Sequence, residues 1–177
     1  CAAAYWGMAL ANMDNAQRGK KFMAACLKHK AKASEHEVMY IDALDAYLKA
    51  DPKKKKERNE AYTKALEKIL YKYPDDLEAR SLLALQLWKI RDSGLPISSF
   101  LAIDALLDQV FAANPMHPAR HYLIQLWDYE RHENALKSAA LCGQSSPGIA
   151  HMWHMPGHIY SKARRYEDAC FQQEASA

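Results

Sequence analysis

Proline closes three successive stretches of this chain, at Pro74, Pro115 and Pro147, leaving units of 41 and 32 residues between them. Proline lacks an N–H and cannot continue a helix. After each one comes a short link and then a run of strong helix formers, chiefly Ala, Leu, Lys, Glu and Gln. Sustained period-two alternation is missing, so strands are not expected. Helix starts are marked instead. Ser34-x-x-Glu37 reads as a capping box ahead of Val38, Ile41 and Leu44. Asp51-Pro52, Ser146-Pro147 and His117-Pro118 read as cap residues followed by proline in the first turn. The expectation is all-α: about ten helices in five antiparallel pairs. These are 2–13 with 16–30, 34–50 with 53–73, 76–92 with 97–113, 117–129 with 131–143, and 148–162 with 165–177.

Composition bounds the partners. The net charge is +3 over 177 residues, too little for the concentrated basic face that nucleic acid requires. The run Lys53-Lys54-Lys55-Lys56 reads as a solvated loop and first helical turn. Cys1, Cys26, Cys142 and Cys170 show no CxxC spacing and no zinc-type clustering; the last three fall on apolar helix faces, where cysteine acts as a small hydrophobe. No apolar run approaches the ~20 residues that span a bilayer. Both ends fall inside helical patterns, so the chain reads as a piece of a longer polypeptide. Its uncapped terminal helix, with Ala169, Cys170 and Phe171, is expected to pack against further chain or another copy.

The last unit carries the most specific pattern. Trp153, Gly157 and Tyr160 are followed by Ala169, the order and spacing of the helix–turn–helix signature W-x2-L-G-x2-Y…A. The aromatics fill the space between paired helices, while Gly157 and Ala169 let backbones approach. On these residues, and on the unit length, the whole chain resembles the tetratricopeptide repeat (TPR) superfamily as one helical repeat domain over 1–177. It is similar to a group of bacterial TPR proteins with AYWGMA, HP…HYLI and HMPxHI(Y/F) segments, which stand here as Ala4 to Ala9, His117 to Ile124 and His154 to Tyr160. Pro156 replaces the usual leucine and Gln173 the usual aromatic. The resemblance implies a right-handed superhelix whose first helices line a concave groove for a protein or peptide, and no cofactor.

Histidines concentrate in that groove. His151, His154 and His158 share one helical stripe, and aligning adjacent first helices sets His121 beside His154 and Gln125 beside His158. The leading reading is a partner-binding surface made of His121, Gln125, His151, His154 and His158. The alternative is a metal or small-ligand site, with His121, His154 and His158 as candidate ligands, because imidazoles four residues apart can chelate zinc, copper or nickel. Asp128 and Glu130 are the nearest carboxylates. Trp6, Trp88, Trp127 and Trp153 read as core first and as peptide anchors second. Pro156 either kinks a helix that starts near Pro147 or sits in the first turn of one that starts later. No G-x-S-x-G, G-x-x-x-x-G-K-[ST] or H-E-x-x-H is present, so no enzymatic activity is assigned.

Overall fold

A computed structural model describes residues 1–177. The chain is all-α, with ten α-helices and no strand, and no helix is long and apolar enough to cross a membrane. It divides into two compact units, Cys1–Pro96 and Ile97–Ala177. The N-terminal unit holds α1 (Ala2–Leu10), α2 (Ala16–Leu27), α3 (Glu35–Lys49), α4 (Lys55–Lys72) and α5 (Leu77–Lys89). The C-terminal unit holds α6 (Phe100–Ala113), α7 (Arg120–Trp127), α8 (Leu136–Ser145), α9 (Ala150–Lys162) and α10 (Tyr166–Ala175). The boundary at Pro96 runs between α5 and α6, which the sequence pattern joins as its third pair.

Within each unit helices pack mainly on their chain neighbours, α1 on α2 and α3 on α4 on α5, then α7 on α8 on α9 on α10. Alternate helices also touch: α1 meets α3, and α7 meets α9. First helices of successive hairpins therefore lie side by side in each unit. The cores are apolar, with Met23, Ile41, Leu44, Leu66 and Ile69 fully buried in one unit and Leu107, Val110, Ile124, Leu126 and Ile159 in the other. Each such side chain contributes about 1.5–3 kcal/mol by leaving water. Most buried polar side chains are bonded, although Arg58 Nε, Trp88 Nε1 and Gln172 Oε1 are not. Asn59 Oδ1 accepts from Gln86 Nε2 at 2.8 Å. Arg120 donates to the Pro115 carbonyl from Nε (3.1 Å) and Nη2 (2.8 Å) and to Ser138 Oγ from Nη1, while stacking on Phe111. That guanidinium ties the α6–α7 turn to α8.

The capping box forms: Ser34 Oγ accepts from the Glu37 N–H, and Glu37 Oε2 accepts from the Ser34 N–H. The three X-Pro starts do not form as read. Helix α4 begins at Lys55, α7 at Arg120 and α9 at Ala150. Asp51 Oδ1 instead accepts from Lys53 N, and His117 Nδ1 from Ala119 N. These local bonds close a turn two residues on, so the prolines belong to the turns and the helices start after them. Cys26 and Cys142 are buried as expected, but Cys170 is exposed, because α10 turns Gln172 to the interior and leaves Cys170 and Phe171 outside. Pro156 lies inside α9 and not in its first turn.

Two backbone positions set the approach of the last helices. A Cβ on Gly143 would lie 2.4 Å from the Trp153 ring, so α8 and α9 meet only because that atom is missing. Arg164 ends α9 in the left-handed region at φ 58°, with Arg165 N donating to Tyr160 O across the turn. This is a Schellman closure with a side chain where glycine is favoured. Gly143→Ala should therefore cost about 1–3 kcal/mol through overpacking, measured by urea unfolding and accompanied by a change in Trp153 fluorescence. Arg164→Gly should leave stability unchanged or raise it by up to about 1 kcal/mol, measured the same way; a clear loss would contradict the strain argument.

Candidate functional site

The expected histidines come together in the C-terminal unit. His151, His154 and His158 follow one stripe of α9, and His121 with Gln125 lies on the adjacent α7. His121 Nε2 is 3.1 Å from His151 Nε2 and 2.9 Å from Gln125 Nε2. His154 Nε2 is 2.9 Å from His158 Nε2. The rings form a continuous row with centroid spacings of 4.8 Å (His121–His151), 6.1 Å (His151–His154) and 4.8 Å (His154–His158). The register differs from the one the sequence alignment of the two helices predicts: His121 faces His151, not His154. The offset between the two helix starts, 30 residues and not the 33 of the pattern alignment, sets this pairing. Counted from Arg120 and Ala150, His121 and His151 are each the second residue of their helix.

Gln173 of α10, placed where the repeat pattern expects an aromatic, fixes one end of the row. Its Nε2 donates to the His154 carbonyl at 3.3 Å, and its Oε1 lies 2.7 Å from His154 Nδ1. A carbonyl oxygen can only accept, so the amide orientation is set, and Oε1 must accept from Nδ1–H. In the neutral ring Nε2 then carries the lone pair, and His158 Nε2–H donates to it. Gly157 makes room for this clamp, since a Cβ there would stand 2.1 Å from Gln173 Nε2. At the other end, burial first and the neighbouring His151 second push the His121 pKa down to about 4. The row is thus anchored by a neutral imidazole, and the other three rings are half-buried or exposed.

No group of three or more His, Cys, Asp or Glu side chains converges as a ready metal cage. Asp128 turns away from the row and pairs with Lys162 Nζ at 2.6 Å. Cys142 is buried, and that burial pushes its thiol up to about 12, which keeps it un-ionised and poorly nucleophilic. Ser145 donates to the Cys142 carbonyl.

The N-terminal unit carries a second site that sequence reasoning missed apart from Trp6. A cavity of about 270 Å³ is lined by Ala3 and Trp6 of α1, His36, Tyr40 and Ile41 of α3, and Glu78 of α5. Trp6 Nε1–H donates to the Tyr40 carbonyl at 3.1 Å, and the two rings meet edge to face. Asp76 organises the wall. Its Oδ1 accepts from the Ala79 N–H and caps α5, while Oδ2 lies 2.6 Å from both Tyr40 Oη and His36 Nε2. Burial would raise the Asp76 pKa, but the bonds from Tyr40, Ala79 and His36 outweigh it and hold the carboxyl below its ordinary value. Burial, then Asp76, pushes the Tyr40 phenol upward. The sequence signals for this site are Asp76 as a cap after Pro74 and the four-residue spacing of His36 and Tyr40.

The other tryptophans have separate partners. Trp127 is buried and donates to Asp104 Oδ1. Trp153 donates to the Pro147 carbonyl, and Trp88 lies under Arg91.

His121 gives a pH dependence with a defined sign. Its folded pKa lies below the unfolded value of 6.5, so its contribution to stability is complete above pH ~6.5 and is lost as pH falls toward ~4. His121→Gln should flatten the decline in melting temperature between pH 6.5 and 5, a range above most carboxylate titrations. An unchanged slope in a folded His121→Gln protein would contradict the neutral anchor.

No family model and no curated protein matches the sequence. Solved structures do match in shape. "MamA MSR-1 C2" aligns over 99% of this chain and 94% of its own, with a TM-score of 0.56 and 16% identity. "MamA AMB-1 P212121" aligns over 99% and 89%, with a TM-score of 0.55 and 15% identity. At such identity the likeness bears on the fold alone, and it agrees with the side-by-side first helices: the chain has a TPR-like fold, as MamA has.

Proposed function

We propose that this chain is a protein-interaction scaffold that holds a peptide segment of a partner protein through a basic side chain seated against Trp6 and Tyr40. The observation that carries the reading is the shape and charge of that cavity. At about 270 Å³ it falls just below the size range of whole small-ligand pockets and suits one long side chain. Its walls are two aromatic rings on adjacent first helices. Three acidic residues, Glu37, Asp76 and Glu78, are among its lining residues on a chain whose net charge is positive. Aromatic faces with carboxylates near them favour a lysine or arginine, whose apolar stem lies on the rings while its charged end meets the acids.

The histidine row is a second contact surface in the C-terminal unit under the same reading. His121, Gln125, His151, His154 and His158 present imidazole and amide groups that donate and accept hydrogen bonds to a partner's backbone or polar side chains. Their interlocked contacts hold the rotamers, so little side-chain freedom is lost on binding.

The test compares short peptide libraries with one central position fixed as Lys, Arg, Leu or Glu. Lys or Arg peptides should be retained and Glu peptides excluded. Trp6→Ala should weaken the selected peptides about tenfold, in line with ~1–2 kcal/mol for a desolvated cation–aromatic contact. Trp6→Phe should preserve most of the binding. Equal binding of Glu and Lys libraries, or a folded Trp6→Ala protein with unchanged affinity, would overturn the assignment.

A further inference from the structure

We propose that His154 and His158 form a two-imidazole site for a borderline divalent transition-metal ion of the nickel and copper class, with Gln173 as the group that orients the first ligand. The inference concerns the C-terminal unit alone and stands or falls separately from the peptide pocket of the N-terminal unit.

Distance supplies the first argument. Imidazole nitrogens bind such ions at ~2.0–2.1 Å. Two of them subtending a right angle at one ion lie about 2.9 Å apart, and a tetrahedral angle needs about 3.3–3.4 Å. The observed separation of His154 Nε2 and His158 Nε2 is 2.9 Å. The side chains already stand at the spacing of neighbouring positions in a square or octahedral shell, the arrangement that nickel and copper favour over zinc. Both residues sit four apart on α9, so the helix itself maintains the bite.

The second argument is the support behind the ligand. Ligating histidines donate their other ring N–H to an oxygen, which fixes tautomer and ring orientation. His154 Nδ1–H already does this toward Gln173 Oε1 at 2.7 Å. The amide is itself held by the His154 carbonyl and seated over Gly157. On binding, the hydrogen bond from His158 Nε2–H to His154 Nε2 breaks, and the freed lone pair of His154 Nε2 turns to the ion. His158 moves its proton from Nε2 to Nδ1 through solvent, and no net proton is released from the neutral pair.

The third argument is the donor set. Asp128, the buried carboxylate on the neighbouring hairpin, is committed to Lys162. The site therefore offers neutral nitrogen alone, which disfavours magnesium and calcium, with their demand for oxygen ligands. His154 and His158 are half-buried, leaving water in the remaining positions.

The experiment is calorimetric titration of the full chain with Ni²⁺, in a background where the exposed thiols are removed by Cys1→Ser and Cys170→Ser. The expected result is one ion per chain and a raised melting temperature. His154→Ala and His158→Ala should each abolish that binding, and His121→Ala should not. Gln173→Leu should keep the stoichiometry while weakening affinity about 10–100-fold. Circular dichroism separates loss of the site from loss of the fold, and His154→Gln serves if His154→Ala unfolds. No saturable binding by the folded parent, or binding that survives the His154 and His158 substitutions, would overturn the proposal.

Discussion

No helix of this chain can stand without a neighbour, and that constraint governs everything else. Apart from α3 and α4, every helix has 14 residues or fewer, down to 8 in α7, and helices shorter than about 12–15 residues are marginal in water on their own. Each one gains stability only by laying an apolar stripe on the helices before and after it. Small residues make the approach close. Ala9, Ala79, Ala84, Ala135, Ala139 and Gly143 are buried where helices meet. The large residues then fill what remains, as Trp153 does over Gly143. Alternation of this kind leaves first helices adjacent, and both candidate sites arise from that adjacency.

The pocket and the histidine row are two uses of one geometry. In the N-terminal unit α1 and α3 bring Trp6 to Tyr40, and the capping residue of α5 reaches back to bind Tyr40 and His36. In the C-terminal unit α7 and α9 bring His121 to His151. Neither arrangement needs a loop. The side chains project from packed helices, so their positions are set by the core and not by flexible segments. Asp76 shows the coupling most directly: one oxygen ends a helix and the other holds two groups of the pocket wall.

Much of this architecture is legible in the amino-acid sequence. The ten helices follow from punctuation and apolar spacing, and the Ser34–Glu37 box forms because both halves of its signal are local. What misleads is also local. Asp51-Pro52, His117-Pro118 and Ser146-Pro147 have the form of helix starts, but their side chains and rings are equally suited to turns, and at the first two the turn wins by closing a hydrogen bond two residues on. The pairing of His121 with His151 follows the 30-residue offset between the helix starts at Arg120 and Ala150, whereas the repeat pattern aligns the two helices at an offset of 33. The pocket is largely illegible for a different reason. It joins residues some 36–40 positions apart, and nothing in the sequence between Tyr40 and Asp76 announces the contact.

The departures from the repeat pattern carry the most information, because they fall together. Pro156 stands for leucine and removes the donor that the Met152 carbonyl would receive in a regular helix. Gln173 stands for an aromatic and brings an amide to the His154 carbonyl and imidazole. Gly157 lies between them and supplies the space. A TPR-like hairpin would pack more simply with leucine and an aromatic ring at these two places, since both would bury apolar area without a polar group to satisfy. The hairpin of α9 and α10 instead accepts a proline-interrupted helix and a polar wedge. The direct consequence is a histidine held in one tautomer with its Nε2 lone pair aimed along the row. The departures at Pro156, Gly157 and Gln173 coincide where the result is an oriented imidazole, and sites of this kind are where function is expected to be written into an otherwise regular array.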